Sequence, residues 1–577
     1  MQSPRTLLVA SLLAGATLGS RAAAQVTSRA SVDSSGLQAN SGSAASNVSA
    51  DGQVVVFRSS ATNLVVGDTN GLPDIFVRDR SSGVTTRVSV SSSGAQSNAG
   101  CNRSSISADG RFVVFETAAT NLVAGDTNAT TDIFRHDRQT GQTIRASVTS
   151  SGGEPNALCE LPDVSDDGRY VVFDSTANNL VAGDANFARD VFLRDVQLGV
   201  TTRVSVASNG VESPGVSARP RISGNGRFVT FYSFADALVP NDTNGTADIF
   251  TKDLLSGATS RVSVSSAGAQ SNSLSLTPDI SADGRYVVFY SFGSNLVAGD
   301  TNAANDVFVH DTWNSVTTRV SVSSAGVQAN AASSDATISD NGRFLAFQSS
   351  ATNLVSADTN AVSDVFRHDT LTGQTLRVSV GPAAAQANSA CTIAAISAAG
   401  LQVVFESTAA NLVTGDTNST ADIFVRDVGI AANVTSYCTA GTSTNGCAAS
   451  LSASGSPSIA ATSGFLLTCS SVEGQKTGLL FYGLSGSTAL PWAPSSSSYL
   501  CVKSPTQRTS AQSSGGTTNS CNGVLALDFA AWIAANPSAL GTPFVAGDSL
   551  FSQVWYRDPP APKTTNLSDA LAFTMTP

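Results

Sequence analysis

ISADGRFVVFETAATNLVAGDTNATTDIFRHD, residues 106–137, is the stretch on which the fold turns. Asp109-Gly110 stands between two strand-like runs, and glycine accepts the positive φ that tight hairpin turns need. The run that follows, Phe112-Val113-Val114-Phe115, is apolar on successive residues rather than alternate ones. Such a strand needs cover on both faces of its sheet. Beyond a polar loop, Asp132-Ile133-Phe134-Arg135-His136 reads as another strand, and Thr143–Val148 as a fourth after the Thr140-Gly141 turn. With the segment before Ala108, the unit has four short strands, A to D.

The same text recurs along the chain. The aspartate that opens the B–C loop returns as Asp68, Asp126, Asp184, Asp242, Asp300, Asp358 and Asp416, always at an interval of 58 residues. The A–B turn glycine keeps the same period through Gly52, Gly110, Gly168, Gly226, Gly284, Gly342 and Gly400. Seven copies without an insertion predict a repeat architecture. Four-stranded sheets that each need cover on both faces close into a seven-bladed β-propeller, an all-β fold. Strand D carries Arg87, Arg145, Arg203, Arg261, Arg319 and Arg377, but the next position in phase is Thr435. The missing strand lies at the other end, where Arg29 of Val26–Val32 stands 58 residues before Arg87. The chain start is therefore expected to supply the outer strand of the seventh blade, which removes exposed sheet edges.

On these motifs the chain resembles the TolB-type, WD-like propeller repeats of bacterial exported proteins, over residues 25–430 and all seven copies. That resemblance implies a propeller that binds protein or ligand, without fixing a partner. The period stops at Ile430, and residues 431–577 hold short apolar runs separated by Ser, Gly and Thr, which predicts a β-sandwich domain. Within it, GLLFYG, PWAPSSSSYLCVK, VWYRDPP and LSDAL resemble a C-terminal module attached to assorted exported bacterial repeat proteins. Trp492 and Trp555 are candidates there for core residues or for sugar platforms.

Residues 1–24 read as a signal peptide. Arg5 gives a short positive region, Thr6–Gly19 an apolar one, and Ala22-Ala23-Ala24 the small residues for cleavage after Ala24. That run is too short to span a bilayer and no later stretch is apolar enough to anchor the chain, so a secreted, periplasmic or cell-surface location is expected. A formal charge of −11 argues against nucleic acid. In an exported chain the late cysteines can pair. Proximity favours Cys438–Cys447 and Cys501–Cys521, leaving Cys469 over.

The B–C loops carry Asp, Asn and Asp at relative positions 1, 3 and 7. The sets are Asp68/Asn70/Asp74, Asp126/Asn128/Asp132, Asp184/Asn186/Asp190, Asp242/Asn244/Asp248, Asp300/Asn302/Asp306, Asp358/Asn360/Asp364 and Asp416/Asn418/Asp422. Acids at alternate positions suit Ca²⁺, which takes oxygen ligands. Asp and Asn also make turns by bonding their own backbone, so the loops fit either reading. No cofactor is otherwise required. His136, His310 and His368 share one repeat position with Arg78, Arg194, Lys252 and Arg426, and read as solvated basic positions. Asp79 and its counterparts recur after strand C, and ion pairing within or between blades accounts for them and for the strand-D arginines. Cys101, Cys159 and Cys391, also in one phase, read as small buried thiols too far apart to bridge.

A ligand site or reaction centre has to break the repeat, and the breaks fall on strand A. One phase there runs Asn47, Ser105, Asp163, Arg221, Asp279, Thr337 and Ala395, with Arg103, Glu160 and Arg219 nearby. Asp163, Arg221 and Asp279 make either a polar ligand clamp in the channel or an ion-paired wall. No nucleophile elbow, zinc-binding histidine pair or phosphate loop is present, which argues against an enzyme. The expectation is an exported, non-catalytic binding scaffold whose acidic loop face takes protein, glycan or cations. The alternatives are a propeller hydrolase or lyase working at the channel, and a purely structural envelope protein.

Overall fold

A computed structural model describes residues 26–577 except 371–372, 429–433, 439, 455–456, 458–463, 493–497, 545–547, 560–563 and 576–577. The signal-peptide reading lies outside the described residues. The chain divides into two compact units, one of them Gln25–Val428 and the other containing Gly429–Pro577.

The first unit is a seven-bladed propeller. In its first blade the strands Ser43–Val48, Val54–Ser59, Asp74–Asp79 and Val84–Arg87 pair in that order, A to D from the centre outward. Six blades repeat this meander. In the seventh, Cys391–Ile396, Gln402–Ser407 and Asp422–Asp427 are completed by Thr27–Arg29 from the chain start. Thr27 lies opposite Arg426 and Arg29 opposite Phe424, antiparallel, as the repeat phase requires.

Successive apolar residues on strand B fill two different inter-blade cores. Val54 and Val56 pack with Cys101, Val113 and Phe115 of the second blade. Val55 and Phe57 face the other way, onto Val404 and Val425 of the seventh. Each blade also stacks one B-strand and one C-strand phenylalanine, as in Phe115–Phe134 at 5.9 Å. The A–B glycines are needed for space as well as for φ. Gly168 has φ +71°, and a Cβ there would lie 2.0 Å from Phe112 Cδ2 of the preceding blade.

Backbone hydrogen bonds join neighbouring A–B turns around the channel. Asp166 N donates to Gly224 O, Ala282 N to Asp340 O, Asp340 N to Ala398 O and Ala398 N to Ala50 O. The last of these joins the seventh blade to the first, so the ring is closed.

The second unit packs two sheets on one core. The larger runs Val434–Tyr437, Thr565–Thr574, Ser549–Arg557, Thr477–Gly483 and Thr506–Arg508, with Gln512–Ser513 also on Thr477–Gly483. The smaller joins Ser450–Ser454, Leu466–Val472 and Gly523–Asp528. Leu451, Leu467 and Leu525 from the smaller sheet meet Leu480, Tyr482, Val554 and Phe573 from the larger. A short helix, Phe529–Ala535, adds a feature the strand pattern did not suggest, with Asp528 capping it by accepting from Ala531 N.

The disulfides correct the pairing drawn from proximity. Cys438 joins Cys501 and Cys447 joins Cys521, with Cα atoms 6.3 and 5.2 Å apart. Tertiary packing, not chain distance, decides which cysteines meet: the hydroxyl of Tyr437, next to Cys438, donates to Cys501 O. Cys469 is buried and free.

Candidate functional site

Every B–C loop is built alike, and its charge is answered from within the blade. In the first, Arg87 Nη1 stands 3.1 Å from Asp68 Oδ1 and 3.3 Å from Asp74 Oδ2. Ser89 Oγ donates to Asp74 Oδ1 at 2.5 Å, and Asn70 Nδ2 donates to Asp74 Oδ2 at 3.1 Å. Asn70 Oδ1 accepts from Leu72 N, which makes the asparagine a turn former.

The other loops repeat these bonds. Asn128, Asn186, Asn244, Asn302, Asn360 and Asn418 donate Nδ2 to Asp132, Asp190, Asp248, Asp306, Asp364 and Asp422 respectively, at 2.9 to 3.2 Å. Their Oδ1 atoms each accept from the backbone N–H two residues on, so these oxygens face the turn. Strand-D arginines hold the aspartates in pairs: Arg145 takes Asp126 and Asp132, Arg203 takes Asp184 and Asp190, and Arg261 takes Asp242 and Asp248. Arg319 takes Asp300 and Asp306, Arg377 takes Asp358 and Asp364, and Arg29 takes Asp416 and Asp422. The side chains expected as Ca²⁺ ligands are thus engaged in turns and ion pairs. In the third blade Asp184, Asp190 and Glu212 come close enough together to hold a metal ion, and Arg203 reaches all three.

The aspartates after strand C have other partners. Asp137, Asp195, Asp253, Asp311 and Asp369 bind the arginine that follows each A–B turn, at 2.6 to 2.8 Å. In the seventh blade Asp427 takes Arg80 of the first at 2.6 Å.

The histidines are not solvated basic positions. His136, His310 and His368 are buried, each with Nδ1 at 2.9 Å from a strand-D threonine hydroxyl. Burial lowers their pKa, which favours the neutral imidazole. At the same place Arg78 donates to Asp33 O and Gly83 O, and Lys252 to Val206 O and Gly257 O. This repeat position ties the C–D turn to the loop of the preceding blade. Cys101, Cys159 and Cys391 are buried thiols in separate blades, and desolvation pushes Cys101 and Cys391 up to about 12.

The remaining repeat breaks gather at the mouth of the central channel, a cavity of about 620 Å³. It is shaped by a bulge in the inner strands. The register shifts between Ala44 and Asn47, and between Ala218 and Arg221. The residues it carries include Ala45, Leu161, Arg219, Thr277 and Asp335, with φ between 44° and 55°. None is glycine, so left-handed backbone is held here against a cost of about 1 kcal/mol each. The bulge peptides are steadied from the preceding blade: Glu116 Oε2 accepts from Leu161 N and Asp174 Oδ2 from Arg219 N.

Asp163, Arg221 and Asp279 do converge, but loosely. Arg221 lies 3.9 Å from Asp163 and 4.0 Å from Asp279. The two carboxylates are better satisfied elsewhere. Asp163 accepts from Ser105 Oγ at 2.7 Å and from Ile222 N at 3.0 Å, and Asp279 accepts from Ile338 N at 3.0 Å. Burial raises Asp279 to about 6 although Arg221 opposes the shift. Arg103 and Arg219 line the same cavity, and among the described residues no carboxylate lies within 4.0 Å of either guanidinium. Desolvation pushes the Arg103 pKa down, and the charges of Arg219 and Arg221 push it further.

An aromatic shelf flanks this cluster. Tyr232 and Tyr290 stand on strand B of neighbouring blades, and both interact electrostatically with Arg219. Phe234 packs edge-on against Tyr232 at 6.1 Å and Phe292 against Tyr290 at 6.2 Å. These phenylalanines are 46% and 50% exposed, whereas the phenylalanines of the stacked B–C pairs are fully buried. The shelf was legible only in the strand-B phase Arg58, Glu116, Asp174, Tyr232, Tyr290, Gln348 and Glu406, which breaks the repeat as strongly as strand A does.

No family model matches this chain, and no curated protein does. Among solved structures it is similar to a putative TolB from Agrobacterium tumefaciens, at 16% identity over 48% of this chain and 80% of that one, TM-score 0.32. It is also similar to an oligogalacturonate lyase in complex with manganese, at 10% identity over 66% and 88%, TM-score 0.41. The β-propeller domain of the Trilobed protease from Pyrococcus furiosus is similar at 10% identity over 67% and 96%, TM-score 0.39. These are likenesses of fold, to TolB-type and related β-propellers.

Proposed function

We propose that this chain is a non-catalytic, extracytoplasmic binding propeller whose ligand is an acidic protein segment or acidic glycan held at the channel mouth. The observation that carries this reading is the trio Arg103, Arg219 and Arg221. The strand-D guanidiniums lie within 3.6 Å of a carboxylate, while among the described residues these three do not. Guanidinium forks bind carboxylate or sulfate through paired hydrogen bonds, most strongly where water is partly excluded. Phe234 and Phe292 add the exposed apolar area that binding hot spots use. The loop carboxylates, each already facing an arginine, are proposed as staples that set the rim rather than as Ca²⁺ sites. Two disulfides support an oxidising location, and among the described residues no helix is long and apolar enough to cross a membrane.

The test is calorimetry of the full chain with polyglutamate and with alginate, against polylysine and dextran. Binding of a polyanion should weaken at least ~10-fold in the Arg103→Gln/Arg219→Gln variant and fall steeply with salt. Unchanged affinity in that variant would sink the reading. A lyase or hydrolase reading has one observation in its favour, the Asp279 carboxyl raised to about 6 beside Arg221. Turnover of either polyanion that disappears in Asp279→Asn would replace the scaffold by an enzyme.

A further inference from the structure

The larger sheet of the C-terminal unit has an inner face that is fully used. Leu480, Tyr482, Val554 and Tyr556 point into the main core. By strand alternation, Leu479, Phe481, Trp555 and Arg557 point the other way. On that outer side, cover comes from the hairpin Ser487–Pro491/Tyr499–Val502, and the resulting cluster is small: Phe481, Val502 and Leu567 are its buried members. Beside the hairpin strands lies a cavity of about 520 Å³. Its walls are Leu479, Phe481, Trp492, Leu500, Val502 and Trp555. The indole N–H of Trp492 donates to Thr565 Oγ1 at 3.0 Å, which fixes the ring as part of the wall.

Two cations line this apolar chamber. Arg508 and Arg557 line it, both are exposed, and among the described residues no carboxylate lies within 4.0 Å of either guanidinium. The volume falls in the range of small-ligand pockets, roughly 300–1,000 Å³. An apolar interior lined by two cations complements a molecule with a hydrocarbon body and one anionic end. We infer that the C-terminal unit binds an acyl carboxylate, with the chain against Trp492 and Trp555 and the carboxylate on Arg508 or Arg557. The same chemistry is offered by a free fatty acid and by an anionic lipid. The inference is independent of the channel-mouth reading, because no lining residue is shared.

The test uses the intact mature chain and decanoate, followed by calorimetry, with decanol as the uncharged control. Decanoate is expected to bind saturably. Arg508→Gln/Arg557→Gln should weaken it at least tenfold while leaving the weaker binding of decanol unchanged. Leu500→Trp, which fills the chamber and keeps both charges, should abolish binding of both. Thermal unfolding of each variant verifies that the unit is folded. Vesicles of phosphatidylglycerol form the second arm: capture that decanoate displaces identifies a lipid source, and decanoate binding without capture identifies the free acid. The inference is overturned if decanoate does not bind by millimolar concentration, or if it binds either variant as well as the parent chain.

Discussion

Arg203 meets Asp184 at 3.1 Å, Asp190 at 3.5 Å and Glu212 at 3.0 Å, with its own side chain 9% exposed. Removing the cation would strand three acids, so Arg203→Gln should destabilise the propeller by about 3 kcal/mol, the low end for a broken buried pair. Ca²⁺ should then raise the melting temperature of the variant while leaving the parent unmoved; a parent that melts higher with Ca²⁺ would restore the metal reading. Asp279 makes a second residue-scale prediction. Its carboxyl is raised from 3.8 to about 6, so the folded form holds a proton that the unfolded chain releases. Its contribution to stability therefore declines as pH rises from about 4 to 6. Protonation also removes a negative charge beside Arg221, so polyanion affinity should increase as pH falls through 6, and Asp279→Asn should flatten that part of the profile.

At the scale of elements, the strands were readable because their punctuation is local: an Asp-Gly turn, a doubly apolar run, a polar loop. The inner-strand bulge was not, because Arg219 and Thr277 adopt left-handed backbone without the glycine that would announce it. The role of the strand-D arginines was equally hidden. Arg87 and Asp74 stand 13 residues apart and meet only because strands C and D pair. The buried histidines misled for a related reason, since a position filled by Arg or Lys elsewhere looks solvated until its carbonyl partners in the loop of the preceding blade are seen. Of the site, the Asp163–Arg221–Asp279 phase was legible, while the aromatic shelf needed strands of two blades side by side. The A–B turn offers a test of inter-blade packing. Gly168→Ala combines a positive φ with a Cβ driven into Phe112. A loss of about 2–4 kcal/mol in denaturant unfolding is expected, from the backbone and overpacking costs together. Gly183→Ala, at φ +77° but with nothing within 4 Å, should lose only the backbone part.

For the whole molecule, closure depends on three residues, Thr27–Arg29, pairing with Asp422–Asp427. A chain that begins after Val32 would leave the seventh blade with an open edge and Asp416 and Asp422 without Arg29. Such a truncation should unfold at lower denaturant and self-associate, and a synthetic Val26–Val32 peptide should restore the midpoint in trans. A truncated protein with unchanged stability would mean that the amide ring at the A–B turns suffices to hold the circle. Reduction separates the units differently: among the described residues both disulfides belong to the C-terminal one.

The pairing of Thr27 with Arg426 spans 399 residues. The first strand of the propeller to emerge must therefore wait for nearly the last of the propeller before it has anything to bind. Blades can stack as they appear, but the circle cannot lock until synthesis has passed Asp427. Until then the molecule is an open stack with a free edge, slow to finish because its final contact is so distant in sequence.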